Sequence, residues 1–203
     1  MNITPDLKLV LPLREDAKGD PVLYAYHHPI SREVFDANYR IIAATQAALF
    51  SKGLAYAAKA GPRVAALRLA DEARRDAVER GDMDGNGQYR DGGAQALLAE
   101  IKRLTMVLAP GAQGWDMLPV DAAIRAGHID SEDWREAESA VVFFTVGFWM
   151  AKRSDRASMA SGIAGVMGAQ ITSFNATDFI ASLPTLMLAA HSETQKAGSS
   201  VPS

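Results

Sequence analysis

Residues 21–50 read PVLYAYHHPISREVFDANYRIIAATQAALF, and the fold turns on the handover from strand to helix inside them. Residues 22–26 mix apolar and aromatic side chains in the manner of a strand. Pro29 has no N–H to give to a ladder, so the strand ends about there. Ser31 then offers a hydroxyl to the free amides of a first helical turn. Ile30 precedes this cap and Phe35 follows in the next turn, the spacing of a hydrophobic staple. Beyond it Val34, Phe35, Asn38, Ile41, Ile42, Thr45 and Leu49 trace one face at helical period.

Upstream, Leu7, Leu9 and Leu11 alternate along residues 7–13, and the polar REDAKGDP of residues 14–21 carries turn-forming Gly19 and Pro21. The two runs form a β-hairpin. Downstream, Gly53 kinks or ends the first helix. Gly61-Pro62 closes one helix and opens another, with proline at its first position, running to Gly81. Residues 82–93, DMDGNGQYRDGG, form a loop. Residues 94–109 read as one helix, stopped by Pro110-Gly111, and a short helix follows from Val120 to about Ala126. The staple recurs as Ile129 and Trp134 around Asp130, opening a helix that extends to about Arg153. Residues 157–169, ASMASGIAGVMGA, turn small. Gly162, Gly165 and Gly168 permit close backbone approach on one helical face, or the segment is simply weak helix. A last short helix spans residues 176–181. The expected fold is mainly α: a small N-terminal β-hairpin over residues 1–29, a helical domain over residues 30–191, and a disordered tail over residues 192–203, where SETQKAGSSVPS has no apolar period.

Composition sets limits on function. The chain has 203 residues, 48% hydrophobic and 22% charged, at net charge −3, enough for one domain with a sizeable core. There is no basic excess of the kind a nucleic-acid interface needs, and in LADEARRDAVER, residues 69–80, the signs alternate as on a solvated helix face. The absence of cysteine excludes disulfides, thiolate metal sites and cysteine nucleophiles. The first residues lack a basic region followed by a long apolar one, so no signal peptide is expected. The apolar run AVVFFTVGFWMA, residues 140–151, falls short of the roughly 20 residues that span a bilayer, and marks the most buried helix.

Candidates for chemistry are few. Asp82, Asp84, Asn86 and Gly87 match the opening of a calcium loop, but Tyr89 stands at an aliphatic position and Gly93 where a bidentate glutamate belongs. That pattern is read as an exposed turn built from residues tolerant of turn geometry. His27 and His28 are adjacent on a strand and point to opposite faces, so they do not share a metal. With His128 and His191 they are read as surface or strand-end histidines. Asp130, Glu132, Asp133, Glu136 and Glu138 crowd the start of a helix, where the macrodipole favours them. Ser161 lies outside any nucleophile elbow, and Asn175-Ala176-Thr177 is a glycosylation sequon with meaning only on secretion. Trp115, Trp134 and Trp149 are read as core or interface anchors. No catalytic, cofactor-binding or metal-ligating residue is assigned, no cofactor is expected, and a non-enzymatic binding protein is favoured.

The run HHPISREVFDANYRIIAATQAALFSKG, with WDMLPV at residues 115–120 and FIASLPT near the C-terminus, resembles proteins of tailed-phage and prophage tail operons. The nearest resemblance is to the tail assembly chaperone family, with a structural tail (virion) subunit as the alternative and a metal-dependent or hydrolytic enzyme as a remote third. Membership implies a helper in the cytoplasm of an infected bacterium. It would coat the tape-measure protein, recruit tail-tube subunits, and form a monomer or small homo-oligomer without nucleic acid or membrane. The resemblance also implies an exposed apolar groove or patch for a long helical client. Met150, Met159, Met167 and Met187 are adaptable enough to line one, or else they fill gaps in the core.

Overall fold

The computed structural model describes residues 7–90, 92–111 and 114–183. Strand β1 (Lys8–Glu15) pairs antiparallel with β2 (Pro21–His27), Leu9 opposite His27 and Leu11 opposite Ala25. The turn between them is held by the Asp16 carboxylate, which accepts from the amides of Lys18 and Asp20 at 2.8 and 2.9 Å. The helices are α1 (Arg32–Phe50), α2 (Leu54–Arg80), α3 (Gly92–Arg103), α4 (Val120–Arg125), α5 (Ser131–Met150), α6 (Arg156–Val166) and α7 (Ala176–Ala181). Ser31 accepts from the Val34 amide at 3.3 Å and Asp130 closes a capping box with Asp133, so both expected helix starts are present.

The fold is not a helical domain with a hairpin attached. Strands β3 (Thr105–Gly111), β4 (Gly114–Pro119) and β5 (Gln170–Thr172) join the hairpin in a five-stranded antiparallel sheet ordered β4-β3-β2-β1-β5. The mainly α expectation is corrected to a mixed α and β fold with the hairpin at its centre. Residues 94–109 misread as one helix because TMVLA in β3 is apolar on both sides. Val107 and Ala109 face the helices, while Leu108 faces the outer side beside Tyr24. A strand buried on both faces loses its alternation and resembles a buried helix.

A second correction concerns Gly61-Pro62. Helix α2 runs through both residues without a break. Gly61 is fully enclosed, and a β-carbon there would overlap the Phe143 ring of α5. The glycine therefore serves helix contact rather than helix termination, and Pro62 forfeits one intrahelical hydrogen bond in the interior.

Helix α5 is the axis of the molecule. Trp134, Ala137 and Ala140 pack on the sheet with Leu11, Ala25 and Val107. Further along, Val141, Phe144 and Val146 join a larger core with Ile42 and Leu49 of α1 and Leu69 of α2. The helix stops at Met150, where Ala151 turns extended, short of the expected Arg153. On the sheet's outer face lies α7, with Phe179 against the Tyr24 and Tyr26 rings at 5.9 and 6.2 Å. The Tyr26 hydroxyl donates to the Phe174 carbonyl at 2.6 Å and fixes the approach to α7. Among the described residues no helix is long and apolar enough to cross a membrane.

Candidate functional site

Helix α6 carries the expected small-residue segment, and its outward side is unusual for a solvent face. Residues 157–169 contain no charged side chain, whereas a surface helix ordinarily presents a polar stripe. Inward, Ile163 and Ala164 are buried on α5, where a β-carbon at Gly147 would overlap Ile163. Outward, β-carbons at Gly162 and Gly165 would meet nothing within 4 Å. The glycines thus leave room on the open side instead of closing a contact inside the chain.

That room is a groove of about 410 Å³ between α6 and the start of α2. Phe143 and Ile163 form its floor, Leu54 and Ala58 one wall, and Met159, Gly162 and Val166 the other. Leu54 is 76% exposed and Met159 and Val166 each 46%, so three apolar side chains stand in water around one depression. Ala58 and Val166 also border a second cleft of about 340 Å³, which continues toward Leu11 and Leu13 of β1. The two adjoin as one trough along α2. Pro62 lines it too, so the helix wall lacks one amide donor there.

The other sequence candidates lie apart from this trough or border it in secondary roles. The Asp82–Arg90 loop folds back on itself: Met83 bridges Tyr89, and one Asp84 oxygen accepts from the amides of Asn86 and Gln88 at 2.8 and 2.9 Å. These bonds hold the Asp84 carboxyl below its ordinary range. The loop uses its carboxylate as a turn cap, and a β-carbon at Gly93 would already crowd Ile41. Among the described residues no group of three or more histidines and carboxylates is placed to hold a metal.

His27 is a correction. It is the last residue of β2, a strand-end histidine, but instead of lying at the surface it is completely buried beneath the helices. Its Nδ1 lies 2.9 Å from Thr105 Oγ1, whose own proton goes to the Ile101 carbonyl at 2.7 Å. Thr105 must therefore accept, so the imidazole is the neutral Nδ1–H tautomer and Nε2 is left bare and buried without a partner. Burial, reinforced by neighbouring His28, depresses the His27 pKa to about 3. His28 is exposed on the opposite face and edges against Tyr26. His128 is half-buried before α5, and His191 and Met187 lie outside the described residues.

The carboxylate cluster divides in the same way. Asp130 caps α5, Asp133 completes the box and pairs with Arg14 at 2.9 Å, and burial raises the Glu138 carboxyl. Asp133 and Glu136 border the second cleft. Asn175 caps α7, taking the Asp178 amide at 2.9 Å. Trp134 is core, Trp115 packs on Tyr24, and Trp149 stacks on Phe35 at 5.0 Å with the Arg156 guanidinium above it at 4.5 Å. That stack clamps α1, α5 and α6 together. Of the methionines, Met159 stands in the groove, Met167 borders the trough while packing on both cores, and Met150 packs on the core.

Sequence reasoning located the small-residue segment and Met159 but missed the opposite wall. Leu54 and Ala58 are hidden because Gly61-Pro62 reads as a helix boundary, whereas α2 continues through it. An apolar residue directly after Gly53, at a helix start expected to be polar, was the available signal. Comparisons with protein-family models, with curated proteins and with solved structures find no match for this chain.

Proposed function

We propose that this chain is a protein-binding chaperone that shelters an apolar helical segment of a client in the trough between α2 and α6. The observation that carries this reading is a groove of about 410 Å³ ringed by exposed Leu54, Met159 and Val166 on a helix face without charge. Exposed contiguous apolar surface of this kind marks binding sites, and a groove between two helices suits a third helix laid along it. Met159 adds a side chain that adapts to different partners.

The resemblance to tail assembly chaperones supplies the specific setting. On that reading the client is the long helical tape-measure protein, tail-tube subunits are recruited later, and the work is done in the cytoplasm of the infected bacterium. That reading requires a long coiled-coil protein encoded beside it, and the test is co-expression of the two. The wild type should keep that protein in the soluble fraction and co-elute with it. The Leu54→Asp/Met159→Asp double variant, altered only at exposed positions, should not. A client equally soluble with either form, or this chain recovered as an abundant component of purified particles, would overturn the chaperone reading in favour of a virion subunit.

A further inference from the structure

The α2 side of the second cleft carries exposed cations, and their charges are unspent. Along α2, Arg68, Arg75 and Arg80 each find a carboxylate within 4 Å, at Asp71, Glu72 and Asp76. Lys59 and Arg63, on the stretch that borders the trough, have no such partner among the described residues, and both are exposed. They are four residues apart, so they project from the same side about one turn, roughly 5.4 Å, from each other. A chain of net charge −3 thus places two free cations one turn apart beside the second cleft, next to the groove.

The facing wall is different. The outward side of α6 is uncharged and small, with Asp155 at one end of the groove and Glu136 across the second cleft. Asp133, also in that cleft, is already taken up by Arg14. A helix lying in the trough would meet apolar side chains below, small residues on the α6 flank and free cations on the α2 flank. Missing side chains at Gly162 and Gly165 allow its backbone near α6, while on the α2 flank it meets Lys59 and Arg63, with the Glu136 carboxylate across the second cleft.

Resting on the client-binding reading above, we infer that the trough selects an amphipathic helix with carboxylates one turn apart along one flank of its apolar stripe, those carboxylates pairing with Lys59 and Arg63. Electrostatic matching at such a rim sets specificity and register more than gross affinity. The apolar floor holds the client, and the two cations decide which face it presents.

Two labelled helical peptides of about six turns test this. They share length and leucine stripe and differ in carrying glutamates or lysines at i,i+4 on one flank. Fluorescence anisotropy should show the wild type preferring the glutamate peptide by roughly tenfold at low salt, a gap that narrows as ionic strength rises. The Lys59→Glu/Arg63→Glu variant should reverse the preference and bind the lysine peptide better. Both substitutions are on exposed positions, and an unchanged thermal melt verifies that the fold is intact. Equal binding of the two peptides, or a preference that survives the reversal, overturns the inference. So does loss of self-association on reversal with neither peptide bound, which would make a second copy of this chain the occupant. If Leu54→Asp/Met159→Asp releases the client while the charge reversal changes nothing, the client-binding reading stands and the acidic-flank inference alone fails.

Discussion

His27 gives the sharpest prediction about stability. Its ring is enclosed, its Nδ1–H is committed to Thr105, and its Nε2 faces no acceptor, with the Phe144 ring edge-on at 6.5 Å. Protonation would place a charge and an unanswered N–H in that site. The folded-state pKa is accordingly depressed to about 3 from the 6.5 of a free histidine. The unfolded chain therefore binds one more proton than the folded one between those two values. Stability is fully retained above pH 6.5, declines as pH falls below it, and levels off below pH 3. The slope is about 1.4 kcal/mol per pH unit, so moving from about pH 7.5 to about pH 4.5 should cost about 2 to 3 kcal/mol through this residue alone. Carboxylates titrate in the same range, so the measurement is a difference. Urea unfolding of wild type and His27→Asn is followed across that range, asparagine keeping an N–H for Thr105 but not titrating. The variant should be weaker at neutral pH, and the gap should close by that amount on acidification. A gap independent of pH, or an imidazole resonance titrating near 6.5 in the folded protein, would refute the neutral-tautomer assignment.

Two further substitutions test packing. Gly61→Ala should destabilise despite alanine's advantage of about 1 kcal/mol in a helix, because its methyl overlaps Phe143 and overpacking costs roughly 1–3 kcal/mol. Gly165→Ala, open to solvent, should instead stabilise by about 0.5–1 kcal/mol. Chemical denaturation of the pair reads the opposite signs, and equal signs would contradict the helix contact described. Phe179→Ala should weaken the hold of α7 on the sheet by about 3 kcal/mol, visible as faster hydrogen exchange over residues 174–183 while β2 and β3 keep their protection. A uniform increase over the whole chain would mean that α7 is not a separate opening unit.

Local chemistry was legible wherever one residue determines one geometry. Ser31 and Asp130 are N-caps in the structure as their sequence context implied, Gly81 closes α2 in the left-handed conformation at φ 65°, and Asn175 opens α7. The sheet was hidden for a physical reason. β5 is only three residues long and contributes one register to the edge of β1, too short for any pattern to appear. β3 is covered by α4 and α5 on one side and by α7 on the other, so it carries no polar alternation. The burial of His27, at the end of β2, was hidden for the same cause: neighbours on a strand point to opposite faces, but sequence cannot tell whether both faces are covered until the layers are known. Within the trough, α6 was visible as a small-residue run, while the α2 wall depended on a tertiary contact, Gly61 on Phe143, that overrode the usual meaning of Gly-Pro.

The same contact explains why a trough exists there at all. Glycine at 61 lets α2 approach α5 closely enough for Phe143 to fill the space between them. Glycine at 147 does the equivalent for α6, admitting Ile163 against the other side of α5. Two helices are thus drawn down onto one axis from either side of the Phe143 ring, and the ring becomes the floor between them. Had the α6 face been built of leucine and isoleucine, it could have closed over that floor and completed the core. Built of serine and glycine, it cannot, so apolar surface stays exposed at Leu54, Met159 and Val166. A wholly exposed side chain of this kind forgoes about 1.5–3 kcal/mol of burial, and Met159 and Val166, each 46% exposed, forgo about half of that. On the proposed reading, a third helix seated in the trough would recover that burial.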